Sequence, residues 1–166
     1  MEKFPQMVTL VIPVYNEVGN LFPLHREITD VLGASVSSYE IIYVDDGSTD
    51  DSLNVLSKIQ QSDPNVKVIQ FRRNFGQTSA FAAGIDRASG DFIVTLDADG
   101  QNNPADIPKL LSVMLTDNYD FVTGWRVNRK ESPVRKLLSY FANLIISRSS
   151  KITVHDRGCS LKCLRS

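Results

Sequence analysis

The 166-residue sequence has only two cysteines, Cys159 and Cys163, and it has no long apolar run. Two cysteines are too few for a disulfide framework and are compatible with a reducing compartment. Residues 1–6 lack the apolar core of a signal peptide, and no stretch approaches the roughly 20 apolar residues that cross a bilayer. With 42% hydrophobic and 22% charged residues, the composition predicts one compact domain, residues 1–166, without a transmembrane segment.

The net charge of -1 conceals two parts of opposite sign. Residues 1–125 hold 8 Lys and Arg against 17 Asp and Glu, whereas residues 126–166 hold 10 against 2. An acidic body suits a metal site, and a basic final quarter suits an anionic partner such as phosphate or a membrane surface. The simpler interpretation is that these charges lie on solvated faces.

Apolar, β-branched runs alternate with helical patterns along the chain. The predicted strands are residues 8–14, 39–44, 66–71, 92–96 and 119–124. The predicted helices are residues 21–32, 52–61, 77–88, 104–115 and 135–148, with Gly33 and Gly90 closing the first and third. This alternation predicts the α/β class, with a mainly parallel sheet covered by helices on both faces.

Polar clusters follow three of the predicted strands, at 13–17, 45–48 and 97–99. The carboxyl ends of parallel strands lie at one edge of a sheet, so these clusters are expected to share a cleft. The first strand is not followed by the glycine fingerprint of a dinucleotide site or a P-loop, which disfavours dehydrogenases and P-loop enzymes.

The cluster at 97–99 is Asp97-Ala98-Asp99. If the backbone stays extended through Ala98, both carboxylates point to the same side and can address one hard divalent cation, which could neutralise a diphosphate. With 14 aspartates in the chain, about one Asp-x-Asp is expected by chance. An Asp-rich turn that caps the following helix is therefore an open alternative.

Three motifs together, VIPVYNE at 11–17, VDDGSTD at 44–50 and DADGQ at 97–101, resemble glycosyltransferase family 2 in order and spacing. Within that family the chain most resembles the polyprenyl-phosphate glycosyltransferases, the group of dolichyl-phosphate mannose synthase and bacterial undecaprenyl-phosphate sugar transferases. The resemblance continues through 72–77, 124–126 and 155–162 and covers nearly the whole chain. It implies a GT-A type, Rossmann-like fold.

The resemblance also implies roles for individual residues. The donor-binding residues would be Pro13, Tyr15, Glu17, Val44, Asp46, Asp97, Ala98, Asp99, Gln101 and Arg126. Asp46 would accept a hydrogen bond from the base, and Asp97 and Asp99 would hold Mg²⁺ or Mn²⁺ on the diphosphate. The acceptor phosphate would contact Arg135, Ser139 and Lys162, of which the first two lie one helical turn apart. Asp99, Arg126 and Arg135 are the expected catalytic residues.

Plainer interpretations exist for several of these residues. Pro13 and Tyr15 are also typical of a turn, and Arg135 is also typical of a solvated helix cation. Asp45 is better explained as a turn or capping residue. His155, Cys159 and Cys163 have the spacing of a zinc face, but Gly158 weakens a helix there. Helix 135–148 has basic ends and suits either a membrane interface or the core.

The expected function is an inverting transfer of a sugar from a nucleoside-diphosphate sugar to a polyprenyl phosphate. Such an acceptor is already anionic near neutral pH, so the reaction needs no base to activate it. Two alternatives stay open: a polysaccharide-type transferase acting on a sugar hydroxyl, and a catalytically silent nucleotide-sugar-binding module.

The resemblance implies a nucleotide-sugar donor, a polyprenyl-phosphate acceptor and a membrane surface as partners, with no nucleic acid; a homo-oligomer stays open. The expected location is the cytoplasmic face of a bacterial inner membrane or of the endoplasmic reticulum. Members of the family continue well past the position of Ser166, so the single catalytic domain is expected to lack C-terminal segments found in relatives.

Overall fold

The computed structural model of the protein describes residues 3–124 and 159–166. The strands are β1 Phe4–Val14, β2 Val36–Asp45, β3 Val66–Gln70, β4 Phe92–Thr95, β5 Phe121–Thr123 and β6 Lys162–Arg165. The helices are α1 Leu21–Ser35, α2 Ser52–Ser62, α3 Gln77–Ile85 and α4 Ile107–Thr116, and a 3-10 turn, Pro104–Asp106, precedes α4.

The six strands of the described residues form one sheet in the order β3-β2-β1-β4-β6-β5. The first four pair in parallel, and β6 runs antiparallel between β4 and β5. The predicted α/β class with a mainly parallel sheet is therefore confirmed. The sequence pattern does not predict β6, because only Cys163 and Leu164 are apolar in this four-residue strand.

Successive residues of a central strand point to opposite faces of the sheet, and each face has its own helices. Ile41 and Tyr43 of β2 join the main core, which includes buried side chains of α1, α2 and α4. Ile42 and Val44 instead pack with Ala80 of α3 on the other face. Helices therefore pack on both faces of the sheet, as predicted.

Helix α1 is longer than predicted. Its buried side chains, spaced three and four residues apart as one apolar stripe, are Leu21, Leu24, Ile28 and Leu32. Gly33 does not end the helix, because it does not adopt the left-handed conformation of a glycine C-cap. The helix continues to Ser35, and the amide of Val36 donates to the carbonyl of Leu32.

Helix α3 is shorter than predicted. It ends at Ile85 rather than at Ala88, because the amides of Arg87 and Ala88 donate three residues back, to Gly84 and Ile85, in tighter turns. The predicted helix 135–148 lies outside the described residues. Among the helices at 3–124 and 159–166, none is both long enough and apolar enough to cross a membrane.

A buried carboxylate, Glu40, connects three strands of the sheet with the turn after α3. It accepts hydrogen bonds from the Thr9 hydroxyl at 2.7 Å, from the Ser89 amide at 2.6 Å and from the Lys67 ammonium. Burial works to raise the pKa of Glu40, but these hydrogen bonds outweigh it, and the pKa lies below its ordinary value. The ionised form of Glu40 therefore stabilises the fold.

Candidate functional site

A cleft of about 390 Å³ opens at the carboxyl ends of β1, β2 and β4. Its walls come from the loops that follow β1, β2, β3 and β4. The lining residues of this strand-end cleft are Pro13, Val14, Tyr15, Glu17, Asp46, Asn74, Gly76, Gln77, Asp97, Ala98 and Asp99. Polar groups far apart in sequence therefore meet at one edge of the sheet, as expected for parallel strands.

The loop after β1 is fixed by the loop after β2. The side-chain oxygen of Asn16, a residue with a left-handed φ of 58°, accepts hydrogen bonds from the amides of Thr49 at 2.8 Å and Asp50 at 3.3 Å. The amide of Glu17 donates to the Ser52 hydroxyl at 2.9 Å. These bonds hold the backbone directly after Tyr15, and Tyr15 itself stays 45% exposed at the cleft. An exposed aromatic ring held this way offers a stacking surface to a planar ligand.

The loop after β2 is in turn bound to the loop after β3 by Asp46. Its two carboxylate oxygens accept hydrogen bonds from the amides of Phe75 at 2.7 Å and Gly76 at 2.9 Å. Asp46 is only 3% exposed, so it positions this wall of the strand-end cleft as well as lining it. Its neighbour Asp45 accepts from the Ser48 amide, the turn role suggested by the sequence.

Asp97 and Asp99 both line the strand-end cleft, but not on an extended backbone. Strand β4 ends at Thr95, and the chain turns at Ala98 and Asp99, so the condition of an extended backbone through Ala98 is not met. The turn forms because Asp99 accepts the amide of Gln101 at 3.0 Å and Gly100 takes a left-handed φ of 72°. Ala98 is buried, Asp97 is partly exposed and Asp99 is exposed.

The alternative role of this acidic turn, capping the next helix, does not match the structure. The 3-10 turn before α4 is capped by Asn103, whose side chain accepts the amide of Ala105 at 2.9 Å. Asp97 instead accepts a hydrogen bond from the amide side chain of Gln77, at the start of α3. The carboxylates of Asp97 and Asp99 therefore belong to the strand-end cleft and not to a helix cap.

The donor atoms of this turn suit a hard divalent cation. Carboxylate oxygens are preferred ligands of Mg²⁺ and Mn²⁺, and such ions usually take only one or two carboxylates together with water and substrate phosphates. Within the described residues, no group of three or more His, Cys, Asp or Glu side chains is arranged to hold a metal. The residues present fit an ion that completes its coordination with oxygens of a bound diphosphate.

The remaining predicted site residues lie in different places. Val44 is fully buried against Ala80 and does not line the strand-end cleft. Gln101 lines two neighbouring pockets instead. Lys162 starts β6 and pairs with Thr95, close to the acidic turn. Arg126, Arg135 and Ser139 lie outside the described residues.

Lys162 reaches this position because the segment before it is bound to the end of β4. The hydroxyl of Thr95 donates to the carbonyl of Ser160 at 2.6 Å, and the Asn102 amide side chain donates to the Ser160 hydroxyl at 2.7 Å. Cys159 is buried in the same network and Cys163 in the core, where burial raises the pKa of its thiol to about 12. These buried thiols are core residues.

The sequence predicts no role for three lining residues that follow β3, Asn74, Gly76 and Gln77. They lie within segment 72–77, one of those that carry the family resemblance, and no other sequence feature indicates their place in the cleft. Their place beside Asp97 depends on how α3 crosses the sheet, which local sequence does not reveal.

Two curated proteins share substantial sequence identity with this chain. A protein of Rhizobium johnstonii described as dodecaprenyl-phosphate galacturonate synthase is 40% identical over 161 residues, covering 96% of this chain and 48% of that protein. The undecaprenyl-phosphate 4-deoxy-4-formamido-L-arabinose transferase of Yersinia pestis is 42% identical over 159 residues, covering 95% and 48%. The chain thus spans about half the length of the curated relatives it matches.

Solved structures of low identity share the fold. A mannosyltransferase of Pyrobaculum calidifontis, in complex with GDP-Man and Mn²⁺, gives a TM-score of 0.66 at 19% identity and covers 98% of this chain and 45% of its own. Glucosyl-3-phosphoglycerate synthase of Mycobacterium tuberculosis, with Mn²⁺, UDP and phosphoglyceric acid, gives 0.71 at 18% identity, covering 96% and 56%. The fold is therefore of the GT-A type.

The family itself is shown by sequence over most of the chain. A sequence model of the family described as Glycosyl transferase family 2 matches residues 9–165. This range includes all four loops that line the strand-end cleft, of which the acidic turn after β4 is the last. The chain belongs to glycosyl transferase family 2.

Proposed function

We propose that the protein transfers a sugar from a nucleoside-diphosphate sugar to a polyprenyl phosphate, and that residues 1–166 form its catalytic domain. One observation carries the proposal: an exposed aromatic ring, Tyr15, and two carboxylates, Asp97 and Asp99, line the same strand-end cleft. A nucleotide sugar needs a surface for its base and a cation site for its diphosphate. The names of the two relatives described above, both polyprenyl-phosphate sugar transferases, support the acceptor class.

The donor would lie across the strand-end cleft from the loop after β1 to the loop after β4. Pro13, Tyr15 and Glu17 would contact the base and ribose, and Asp97 and Asp99 would hold Mg²⁺ or Mn²⁺. A divalent cation at this position would offset the charge that develops on the leaving diphosphate. Mn²⁺ in the two structural neighbours supports the metal dependence, without separating Mn²⁺ from Mg²⁺.

Asp46 is also proposed to contact the base, beside its structural role. Each oxygen of a carboxylate has two acceptor sites, so its bonds to Phe75 and Gly76 do not use all of its capacity. Its bonds to the backbone fix the direction in which it meets a ligand.

The acceptor explains why the described part of the cleft needs no base. A lipid monophosphate is anionic near neutral pH, so one of its oxygens can attack the anomeric carbon directly. The new bond from phosphate oxygen to carbon forms as the bond from carbon to the diphosphate oxygen breaks, and the electron pair leaves with the nucleoside diphosphate. Attack opposite to the leaving group inverts the anomeric centre.

Positive side chains would hold the two phosphate groups during this exchange. Among the residues that the structure describes, Lys162, beside the end of β4, is a candidate for this role. The predicted roles of Arg126, Arg135 and Ser139 stay part of the proposal. Because the acceptor carries a lipid chain, we place the reaction at a membrane surface, on the cytoplasmic face where nucleotide sugars are made.

The test begins with calorimetric titration of UDP-sugars and GDP-mannose into the protein, with and without Mn²⁺. We expect one donor to bind in a metal-dependent manner, and Asp97→Ala to remove the metal dependence. The donor found this way is then supplied with a polyprenyl phosphate. We expect transfer that depends on the lipid phosphate and that Asp99→Asn abolishes.

Each outcome separates the proposal from its alternatives. Transfer that proceeds equally well to a sugar hydroxyl would favour a polysaccharide-type enzyme. Donor binding without any transfer or hydrolysis would indicate a binding module, and full activity of Asp99→Asn would contradict the assignment of the acidic turn.

A further inference from the structure

Gln77, the first residue of α3, makes a direct contact with the acidic turn. Its side-chain nitrogen Nε2 donates to Oδ1 of Asp97 at 2.5 Å, across 20 residues of sequence. Both residues line the strand-end cleft. We propose that Gln77 is a positioning residue, which orients the Asp97 carboxylate for the divalent cation and diphosphate. This inference rests on the proposed function and assigns a role to a residue that the function alone does not require.

The backbone that carries Gln77 is held on both sides. Before it, Asp46 accepts the amides of Phe75 and Gly76, and Gly76 has a left-handed φ of 92° that turns the chain into α3. After it, the amide of Ala80 donates to the carbonyl of Gly76 at 3.2 Å, and Ala80 is fully buried against the sheet. The side chain of Gln77 therefore extends from a fixed point.

The chemistry of a glutamine suits this task. A neutral amide donor fixes the plane of a carboxylate without cancelling its charge, whereas a lysine or arginine would compete with the cation. Asp99 receives its orientation locally, because the amide of Gln101 in the same turn donates to it. Asp97 receives a donor from another element of the fold, which makes Gln77 the link between α3 and the acidic turn.

The experiment measures Mn²⁺ affinity by calorimetry or by the electron paramagnetic resonance of free Mn²⁺. Mn²⁺ is titrated into the protein with saturating UDP, and in parallel with GDP, so that no sugar is present and no turnover occurs. Loss of a hydrogen-bond partner of a metal ligand typically weakens metal affinity 10- to 100-fold. We expect Gln77→Ala to weaken Mn²⁺ affinity by about 10-fold or more, and excess Mn²⁺ to restore nucleotide affinity.

A conservative variant and a neighbouring one separate positioning from general damage. Gln77→Asn keeps the amide but is one methylene too short to reach Asp97, so it is expected to lose affinity as Gln77→Ala does. Thr78→Ala changes the next exposed residue of the same helix and is expected to leave Mn²⁺ affinity unchanged. Thr78→Ala is expected to leave metal-free nucleotide affinity at the wild-type value, and all three variants are expected to keep the wild-type melting temperature.

The outcomes also distinguish this inference from the proposed function. If Asp97→Ala removes Mn²⁺ binding while Gln77→Ala leaves it intact, the role of Gln77 is overturned and the metal site stands. If Asp97→Ala itself leaves Mn²⁺ affinity unchanged, the metal assignment fails and the role of Gln77 fails with it.

Discussion

Substitution of Gly47 by alanine tests how the walls of the strand-end cleft are held together. Gly47 follows Asp46 and has a left-handed φ of 70°. A Cβ atom there would lie 2.4 Å from the backbone carbonyl carbon of Arg73 and 2.7 Å from the amide nitrogen of Asn74. Neither neighbour is the end of a flexible side chain, so the loop after β3 would have to move away from the loop after β2.

The cost has two sources. A left-handed conformation disfavours alanine relative to glycine by about 1–2 kcal/mol. Movement of the loop also weakens at least one of the hydrogen bonds from Phe75 and Gly76 to Asp46, and a bond to a charged group contributes about 1.5–3 kcal/mol. We expect Gly47→Ala to lower the free energy of unfolding by about 3 kcal/mol or more, and to weaken nucleotide binding.

Equilibrium unfolding in urea measures this change, and Gly19→Ala is the matched control. Gly19 lies in the loop after β1, has no left-handed φ, and no atom lies within 4 Å of the position of its Cβ. Its substitution is expected to change the free energy of unfolding by no more than about 0.5 kcal/mol. Equal stabilities of the two variants would refute the argument that close contact of the two loops maintains the cleft.

Two further predictions concern buried groups. Glu40→Gln removes the charge that Lys67, Thr9 and Ser89 stabilise, and is expected to lower the free energy of unfolding by about 1.5–3 kcal/mol at neutral pH. Because the folded-state pKa of Glu40 is lowered, its contribution is complete above the ordinary glutamate pKa and is lost as the pH falls through the folded-state pKa. Urea unfolding from neutral to acidic pH should therefore show the two proteins converging, and a constant difference would contradict this. The buried thiol of Cys163, with its pKa raised to about 12, is expected to react with a thiol reagent at mildly alkaline pH only after unfolding; rapid reaction of the native protein would exclude a core position.

The sequence predicts the centre of the sheet well because burial on two faces leaves a simple pattern. Strands β1, β2 and β4 each end in a mainly apolar run, and the polar residues that follow mark where each run ends. The acidic turn and the residues of the first two loops were accessible to prediction for the same reason. The position of these residues follows directly from the point at which an apolar run ends.

Features that depend on distant partners were not predictable in this way. Strand β6 is specified by its pairing with β4 and β5, and its four residues carry too little pattern to be recognised alone. Gly33 illustrates the opposite error, because a glycine is a frequent helix end but tertiary packing of α1 overrides that preference. The partners of Asp46 and Asp97 lie about 30 and 20 residues away, so only the folded chain reveals them.

The loops at the strand-end cleft are joined in chain order, each to the next. Asn16 joins the loop after β1 to the loop after β2, and Asp46 joins that loop to the one after β3. Gln77 then joins the loop after β3 to the turn after β4. In the sheet, however, β3 is separated from β4 by β2 and β1, so this last connection exists only because α3 crosses both strands.

This order has a consequence for how the cleft responds to change. Asp46, in the loop after β2, and Asp97, in the acidic turn, are both hydrogen-bonded to the same segment, residues 75–77. A displacement of that segment would therefore move both residues together, at the two ends of the donor site proposed above. Gly47→Ala is expected to move the backbone that carries Gln77, and Gln77→Ala removes the donor on that backbone. The effects of the two substitutions on Mn²⁺ affinity are therefore expected to be non-additive.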